Sequence, residues 1–141
     1  AQRRREEGPE RQVRGCSEIG RWLAGREEVE TVMHPARPGA AGQEWWKRDF
    51  TGACGLFSGV LKPAPKRAVA AMLDSLTLFG MGYSWGGYES LILSVTPGRI
   101  RTAVPWSEQG NVFRVHIGFE DVDDLKADLA EGINRYRAAA G

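Results

Sequence analysis

Apolar residues recur at helical spacing towards the end of this 141-residue chain. The stripe consists of Val122, Leu125, Leu129, Ile133 and Tyr136. Four acidic residues surround its start, and Arg135 and Arg137 follow near its end, so both charge biases complement a helix dipole. The pattern predicts a C-terminal helix with one buried side.

Two earlier stretches show the same period. Ile19, Trp22 and Leu23 predict a helix over residues 17–27, with Ser17 as its N-cap. A second stripe, which follows Pro65 at a first-turn position, consists of Ala68, Val69, Met72, Leu73 and Leu76. We therefore expect three helices.

Strand patterns separate these helices. The candidates are Val29–Met33, Gly55–Leu61, Ser90–Val95 and Val112–Ile117, with Leu76–Phe79 as the possible start of a fifth. In the segment from residue 112 to 117, apolar Phe113, Val115 and Ile117 alternate with Val112, Arg114 and His116. The order of elements predicts an α/β (α+β) fold with a mostly antiparallel sheet and helices on one face.

The residues between Phe79 and Leu91 have the composition of a site loop. Gly86 and Gly87 allow backbone conformations that other residues avoid and let a ligand approach closely. Tyr83, Ser84 and Trp85 place a hydroxyl between two amphipathic rings. A core strand would gain nothing from this order, so the segment is a candidate binding loop.

Two other regions are predicted to be irregular. Residues 35–50 contain prolines and glycines that favour a long loop, packed by its own aromatic residues or by a partner. Residues 1–15 are rich in charge, and Gly8-Pro9 is expected to interrupt any helix there. We therefore divide the chain into a divergent or mobile segment, residues 1–16, and one domain, residues 17–141.

Composition narrows the class of protein. The net charge is +1, with 42% hydrophobic and 26% charged residues, which is typical of a soluble globular domain. Glutamates interleave the N-terminal arginines, and no apolar run approaches about 18 residues, so neither nucleic acid nor membrane is an expected partner. Cys16 and Cys54 have no metal-site spacing and favour a reducing cytoplasm. The chain begins with Ala1 and not with methionine, so a fragment or a processed product is expected.

Four segments carry a family resemblance. They are similar to the C-terminal domain of the cystathionine β-lyases, within the pyridoxal-phosphate enzymes of Cys/Met metabolism. In chain order they read HPARPG (34–39), WKRDFTG with GLFS (46–58), YSWGGYESL (83–91) and FRVHIGFED (113–121). The resemblance covers about residues 21–138.

The resemblance implies the small C-terminal domain of a fold-type I pyridoxal-phosphate enzyme. Such a carbon–sulfur lyase of methionine biosynthesis cleaves cystathionine to homocysteine, pyruvate and ammonia. A large domain binds the cofactor through a lysine, and the usual assembly is a homotetramer. The alternatives are a γ-acting relative, such as cystathionine γ-synthase or γ-lyase, and a non-enzymatic module for amino-acid binding or subunit interaction. Trp85 favours a β-lyase, since γ-acting relatives usually have leucine there.

The chain matches the small domain alone. None of its four lysines has the sequence context of the family's cofactor lysine: Lys47, Lys62, Lys66 and Lys126. The phosphate-binding segments are also missing, and Gly8-Pro9 departs from the long helix of the family. We therefore expect no catalytic residue in this chain and no activity of the chain by itself.

By resemblance, Arg114 binds the substrate carboxylate, because a guanidinium matches a carboxylate with two hydrogen bonds. The resemblance places Ser84 beside that carboxylate, and we expect Trp85 and Tyr83 to form a wall of the pocket. The alternatives are a solvated or ion-paired arginine, a turn hydroxyl and aromatic core packing.

Other titratable residues are assigned structural roles. His34 and His116 have no partners at metal-ligand spacing, so a hydrogen-bonded structural histidine is expected at each position. Asp121, Asp123 and Asp124 resemble a metal cluster, yet capping of the last helix explains them more simply.

Overall fold

The computed structural model of the chain describes residues 3–83 and 86–141. Within those residues, four strands and four α-helices follow the chain order α-β-α-β-α-β-β-α. They are α1 (Arg3–Ala24), β1 (Val29–Met33), α2 (Gln43–Asp49), β2 (Leu56–Leu61), α3 (Lys66–Leu73), β3 (Leu91–Val95), β4 (Asn111–His116) and α4 (Val122–Ala140).

The four strands form one sheet in the order β1-β2-β4-β3. All three pairs of neighbouring strands are antiparallel, which confirms the predicted fold class. Strand β4 lies between β2 and β3, so that Arg114 has Ser58 on one side and Leu93 on the other. The last strand along the chain is thus an inner strand of the sheet.

The two sides of the sheet differ in what covers them. On the side that we call the helix face, Phe57, Ile92, Phe113 and Val115 pack into a core with side chains of α1, α3 and α4. The alternate residues of the strands, which include Ser58, Leu93, Arg114 and His116, lie on the opposite side, which we call the open face. Helices therefore cover one face, as predicted.

Helix α4 begins and packs as its sequence predicts. The Asp121 side chain accepts hydrogen bonds from the backbone N–H groups of Asp123 (2.9 Å) and Asp124 (3.4 Å). This N-cap confirms the capping role of the acidic residues. Leu125, Leu129 and Ile133 are completely buried. Each such side chain contributes about 1.5–3 kcal/mol on leaving water, which anchors the helix to the sheet.

The N-terminal helix differs from the prediction. Helix α1 continues through Gly8-Pro9, which therefore do not interrupt it. Pro9 removes one backbone donor, but the turns on both sides continue the helix. Gly8 packs against the ring of Phe119, to which a Cβ at residue 8 would come within 3.3 Å. The helix crosses the proposed boundary between residues 16 and 17, and that division of the chain stays a prediction.

Two further predictions of secondary structure were wrong. The segment predicted as a loop over 35–50 contains α2, in which the N–H groups of Trp45 and Trp46 donate to the carbonyl of Gly42, a residue with φ 77°. Leu76–Phe79 forms no strand. The Asp128 carboxylate accepts instead from the backbone N–H groups of Thr77 and Leu78, at 2.8–3.1 Å, and holds this segment against α4.

Candidate substrate-binding face

Arg114 lies in the middle of β4 on the open face and is half-buried. Its position follows from the alternation of the strand, because Phe113 and Val115 must point into the helix-side core. Neighbouring residues of β2 and β3 flank its backbone at Ser58 and Leu93. The sheet thus presents one guanidinium near the centre of the face that helices leave uncovered.

Residues 86–88, in the second half of the loop of residues 81–89, lie against the end of β4 and the segment after it. The ring of His116 donates from Nε2 to the carbonyl of Gly87, at 3.2 Å. A Cβ at Gly86 would overlap the same ring, so only glycine allows this approach. His116 and Arg114 share a face and are two residues apart, or about 7 Å along the strand. Gly86 and Gly87 therefore lie at the end of β4, two residues beyond Arg114.

The structure tests the predicted site residues unequally. Tyr83 is 85% exposed, so the alternative reading of core packing does not hold for it. Ser84 and Trp85 lie outside the described residues. The roles of Arg114, Tyr83, Ser84 and Trp85 in substrate binding stay predictions, although their loop and strand are adjacent.

A groove of about 460 Å³ runs across the open face. Its floor includes Met33, Ser58 and Val112 of the strands, and its wall includes Arg101 and Trp106. The Arg101 guanidinium stacks over the Trp106 ring at 5.6 Å from the centroid. This face therefore carries a second arginine, which the sequence analysis did not select.

Sequence analysis also missed the residues that hold the loop. Glu120 accepts from the backbone N–H and the hydroxyl of Ser90, both at 2.7 Å. Gln12, on α1, donates to the carbonyl of Gly87 at 2.7 Å. Glu120 stands within the fourth family-like segment and could have been noticed there. Gln12 lies in the segment predicted to be divergent or mobile, so no local signal indicated it.

None of the four lysines fits a covalent cofactor site. All four lie among the described residues: Lys47, Lys62 and Lys66 are exposed, and Lys126 forms ion pairs with Glu18 and Asp123. A lysine that forms a Schiff base needs a lowered pKa. The hydrogen bond that Lys126 donates to the Glu18 carboxylate instead raises the pKa of Lys126. The residues present therefore do not provide the cofactor attachment that the family uses.

The remaining titratable residues have structural environments. Burial raises the pKa of the Cys16 thiol to about 12, whereas Cys54 is exposed, and both cysteines are free. Burial lowers the pKa of His34. Among residues 3–83 and 86–141, no group of three or more His, Cys, Asp or Glu side chains is placed to hold a metal ion.

The described helices include none that is both long and apolar enough to cross a membrane.

Comparison with known proteins defines the class of this domain, an α/β unit of pyridoxal-phosphate-dependent enzymes. The family model described as "Cys/Met metabolism PLP-dependent enzyme" matches residues 9–134. The chain belongs to this family, which confirms the resemblance and implies pyridoxal phosphate as the cofactor of the family's enzymes.

Curated relatives include several β-lyases. The chain is 52% identical to the cystathionine beta-lyase of Escherichia coli (strain K12) over 121 residues, 83% of this chain and 31% of that protein. It is also 36% identical over 120 residues to an L-alanine/L-glutamate racemase of Wolbachia pipientis, covering 84% of this chain and 30% of the racemase. The chain thus spans about a third of the length of these relatives, and the segment it shares supports more than one reaction.

Solved structures share the fold. Cystathionine gamma synthase from Xanthomonas oryzae matches with a TM-score of 0.78 and 27% identity, over 95% of this chain and 36% of the synthase. O-acetylhomoserine sulfhydrylase of Wolinella succinogenes matches with a TM-score of 0.72 and 26% identity, over 90% of this chain and 33% of that enzyme. The fold therefore occurs in both a cystathionine gamma synthase and an O-acetylhomoserine sulfhydrylase.

Proposed function

We propose that this chain is the C-terminal substrate-clamping domain of a pyridoxal-phosphate-dependent carbon–sulfur β-lyase that acts on cystathionine. The observation that carries the proposal is the half-buried Arg114 at the centre of the open face, beside the 81–89 loop. A guanidinium in this position can orient an amino-acid carboxylate by two parallel hydrogen bonds. Trp85, Ser84 and Tyr83 of the adjacent loop complete the proposed wall.

The β-lyase assignment rests on the degree of similarity. Identity is 52% to a cystathionine beta-lyase but 30% over 120 residues to a putative cystathionine gamma-lyase of Caenorhabditis elegans, of which the chain covers 30%. Both comparisons cover 82–83% of this chain, so the difference does not arise from coverage. This difference in identity supports the β-lyase part of the proposal.

The lysines support a second part of the proposal: the chain is a fragment without activity of its own, and it works with a large cofactor-binding domain. Three lysines are exposed, and the fourth has a raised pKa. We expect no lasting visible absorbance of an aldimine when the chain is mixed with pyridoxal phosphate. A visible absorbance that survives dialysis, and that borohydride abolishes by reducing an imine on one of the four lysines, would contradict this expectation.

Carboxylate binding can be tested on the chain alone. We expect L-cystathionine to shift the NMR signal of the Arg114 side chain with a dissociation constant on the order of millimolar, as for a few charge-assisted hydrogen bonds. Arg114→Ala should abolish the shift of the neighbouring strand signals. Arg101→Ala is the matched control, because Arg101 lies on the same face. Loss of binding in Arg101→Ala alone would place the carboxylate elsewhere on that face.

The reaction type needs a complete enzyme. We suggest replacing the matching segment of the E. coli cystathionine beta-lyase with this chain and identifying the thiol released from cystathionine. Homocysteine is expected for a β-lyase, whereas cysteine would favour a γ-acting relative. Binding by the isolated chain with no activity of the chimera would favour the non-enzymatic amino-acid-binding module.

A further inference from the structure

The residue that directly follows the 81–89 loop, Ser90, is held by a compact hydrogen-bond network. Ser90 is completely buried, and its N–H and hydroxyl both donate to the Glu120 carboxylate. The Ser90 hydroxyl in turn accepts from the N–H of Gly118, at 2.9 Å. Phe119 donates its N–H to the carbonyl of Tyr88, at 2.8 Å. The segment after β4 therefore holds the C-terminal end of the loop by four bonds.

The middle of the loop has a separate attachment. The Gly87 carbonyl accepts from Gln12 of α1 and from the His116 ring, and these two side-chain nitrogens lie 3.4 Å apart. His116 also precedes the segment that holds Ser90. The two attachments therefore share the end of β4, two residues beyond Arg114.

The loop approaches the end of β4 and the segment after it closely at two glycines, Gly86 and Gly118. A Cβ at Gly118 would overlap the Tyr88 carbonyl and would come within 2.7 Å of the Glu120 carboxylate. Because the obstacle is backbone, no side-chain rotation can relieve it. A Cβ at Gly86 would overlap the His116 ring. Close packing at both points fixes the distance between the loop and β4.

We propose that Glu120 is a positioning residue, which holds the 81–89 loop in register with Arg114 and thereby sets the geometry of substrate-carboxylate binding. The inference rests on the proposed function, because it concerns the same arginine and loop. Glu120 acts through Ser90 and does not itself touch the substrate. Gln12 provides the secondary attachment and joins the loop to α1.

The carboxylate is the suitable group for this role. Both of its oxygens accept, one from the Ser90 N–H and one from the Ser90 hydroxyl. Glutamine would replace one acceptor with an N–H₂ donor and would leave the hydroxyl hydrogen without its partner. The Glu120→Gln substitution therefore weakens the attachment while it preserves the size of the side chain.

Asp128 offers a matched control, because it holds residues 77 and 78 near the start of the stretch between α3 and β3 that ends at Ser90. Asp128 accepts from Thr77 and Leu78, including two backbone N–H groups, just as Glu120 holds Ser90. Asp128→Asn removes the same charge and a similar number of bonds. It does so beside α3 and α4, away from Arg114, and so it reports the effect of a purely structural change.

The experiment compares Glu120→Gln with Asp128→Asn in the 141-residue chain by NMR. In Glu120→Gln we expect amide hydrogen exchange at Ser90 to become at least about tenfold faster and NOE contacts between Gly86 and the His116 ring to weaken. The dissociation constant of L-cystathionine should rise about tenfold. In Asp128→Asn the dissociation constant should stay within about twofold of its value in the unmodified chain. Both variants should lose similar thermal stability.

Unchanged cystathionine affinity in Glu120→Gln, with Ser90 exchange accelerated, would overturn the positioning role and leave a structural one. Unchanged Gly86–His116 contacts would overturn it regardless of ligand binding. If the unmodified chain shows no binding that depends on Arg114, the proposed function fails separately. The NOE comparison then still decides whether Glu120 fixes the loop.

Discussion

The helix face and the open face of the sheet come from the same strands but have different surroundings. On the helix face, Phe113, Val115 and Ile117 are almost completely excluded from water by α1, α3 and α4. On the open face, the alternate positions of β4 are Val112, Arg114 and His116; the groove borders Val112, and Gly87 of the loop contacts His116. One strand thus contributes to the core on one side and to the proposed binding face on the other, because successive side chains point to opposite faces.

The largest contrast between the faces should appear when a leucine is truncated. Leu129→Ala removes a fully buried side chain of α4 and should lower the free energy of unfolding by about 3 kcal/mol. Leu93→Ala, at a half-buried position of the open face, should cost under about 1.5 kcal/mol. Urea denaturation measures both, and equal losses would show that a hidden core also lies on the open face.

Added volume should reveal the close packing of the helix face. A Cβ at Gly59 of β2 would overlap the Phe113 ring, so Gly59→Ala should destabilise the domain by about 1–3 kcal/mol. Gly52→Ala is the control, because no atom lies within 4 Å of its Cβ position. If denaturation midpoints of the two variants coincide, the Phe113 ring moves aside at little cost.

Alkaline pH should weaken the helix-side core through Cys16. Burial raises the pKa of this thiol from its ordinary value of 9.0 to about 12, so it stays protonated in the folded chain where the unfolded chain ionises. The raised pKa therefore contributes stability below pH 9 that is lost as the pH rises towards 12, with a slope of at most about 1.4 kcal/mol per pH unit.

Because of this thiol, the free energy of unfolding should be about 1 kcal/mol lower at pH 10 than at pH 8. Cys16→Ala should remove this component from the pH profile of unfolding. Alkylation offers a second check, since exposed Cys54 should react in the folded chain while Cys16 is protected. Rapid labelling of Cys16 would indicate that α1 opens readily.

The smallest effect is expected on the open face. Arg101 is exposed and stacks on Trp106, an arrangement worth about 0.5–1 kcal/mol at most at such sites. Arg101→Ala should therefore lower the free energy of unfolding by no more than that amount, as measured by tryptophan fluorescence in urea. A larger loss would mean that residues 96–110 help to hold the sheet together.

The spacing of apolar residues was sufficient to predict the elements in which buried positions recur at a regular helical or strand interval. The stripe of α4, the alternation of β4 and the short strand Val29–Met33 were predicted within a residue or two of the structure. The order of elements also predicted an antiparallel sheet with helices on one face. These features depend on which side of a helix or strand is buried, and the spacing of apolar residues indicates that side directly.

Features that depend on distant partners escaped the sequence analysis. The apolar sequence of Leu76–Phe79 favours a strand. In the structure, however, the backbone N–H groups of Thr77 and Leu78 donate to Asp128, some 50 residues away. Helix α1 continues through Pro9 although Gly8-Pro9 locally favours an interruption. The short helix α2 buries none of its residues, so it leaves no apolar stripe to detect.

The features of the candidate site also fall into those that the sequence determines and those that depend on contacts between distant segments. The sequence itself determines the family, the alternation that puts Arg114 opposite the core and the glycines that permit close approach. Only the tertiary structure places Gly87 against His116, 29 residues further on, and against Gln12, 75 residues earlier. Residue types and spacing determine which face a side chain takes, whereas contacts between distant segments arise only when the whole chain packs.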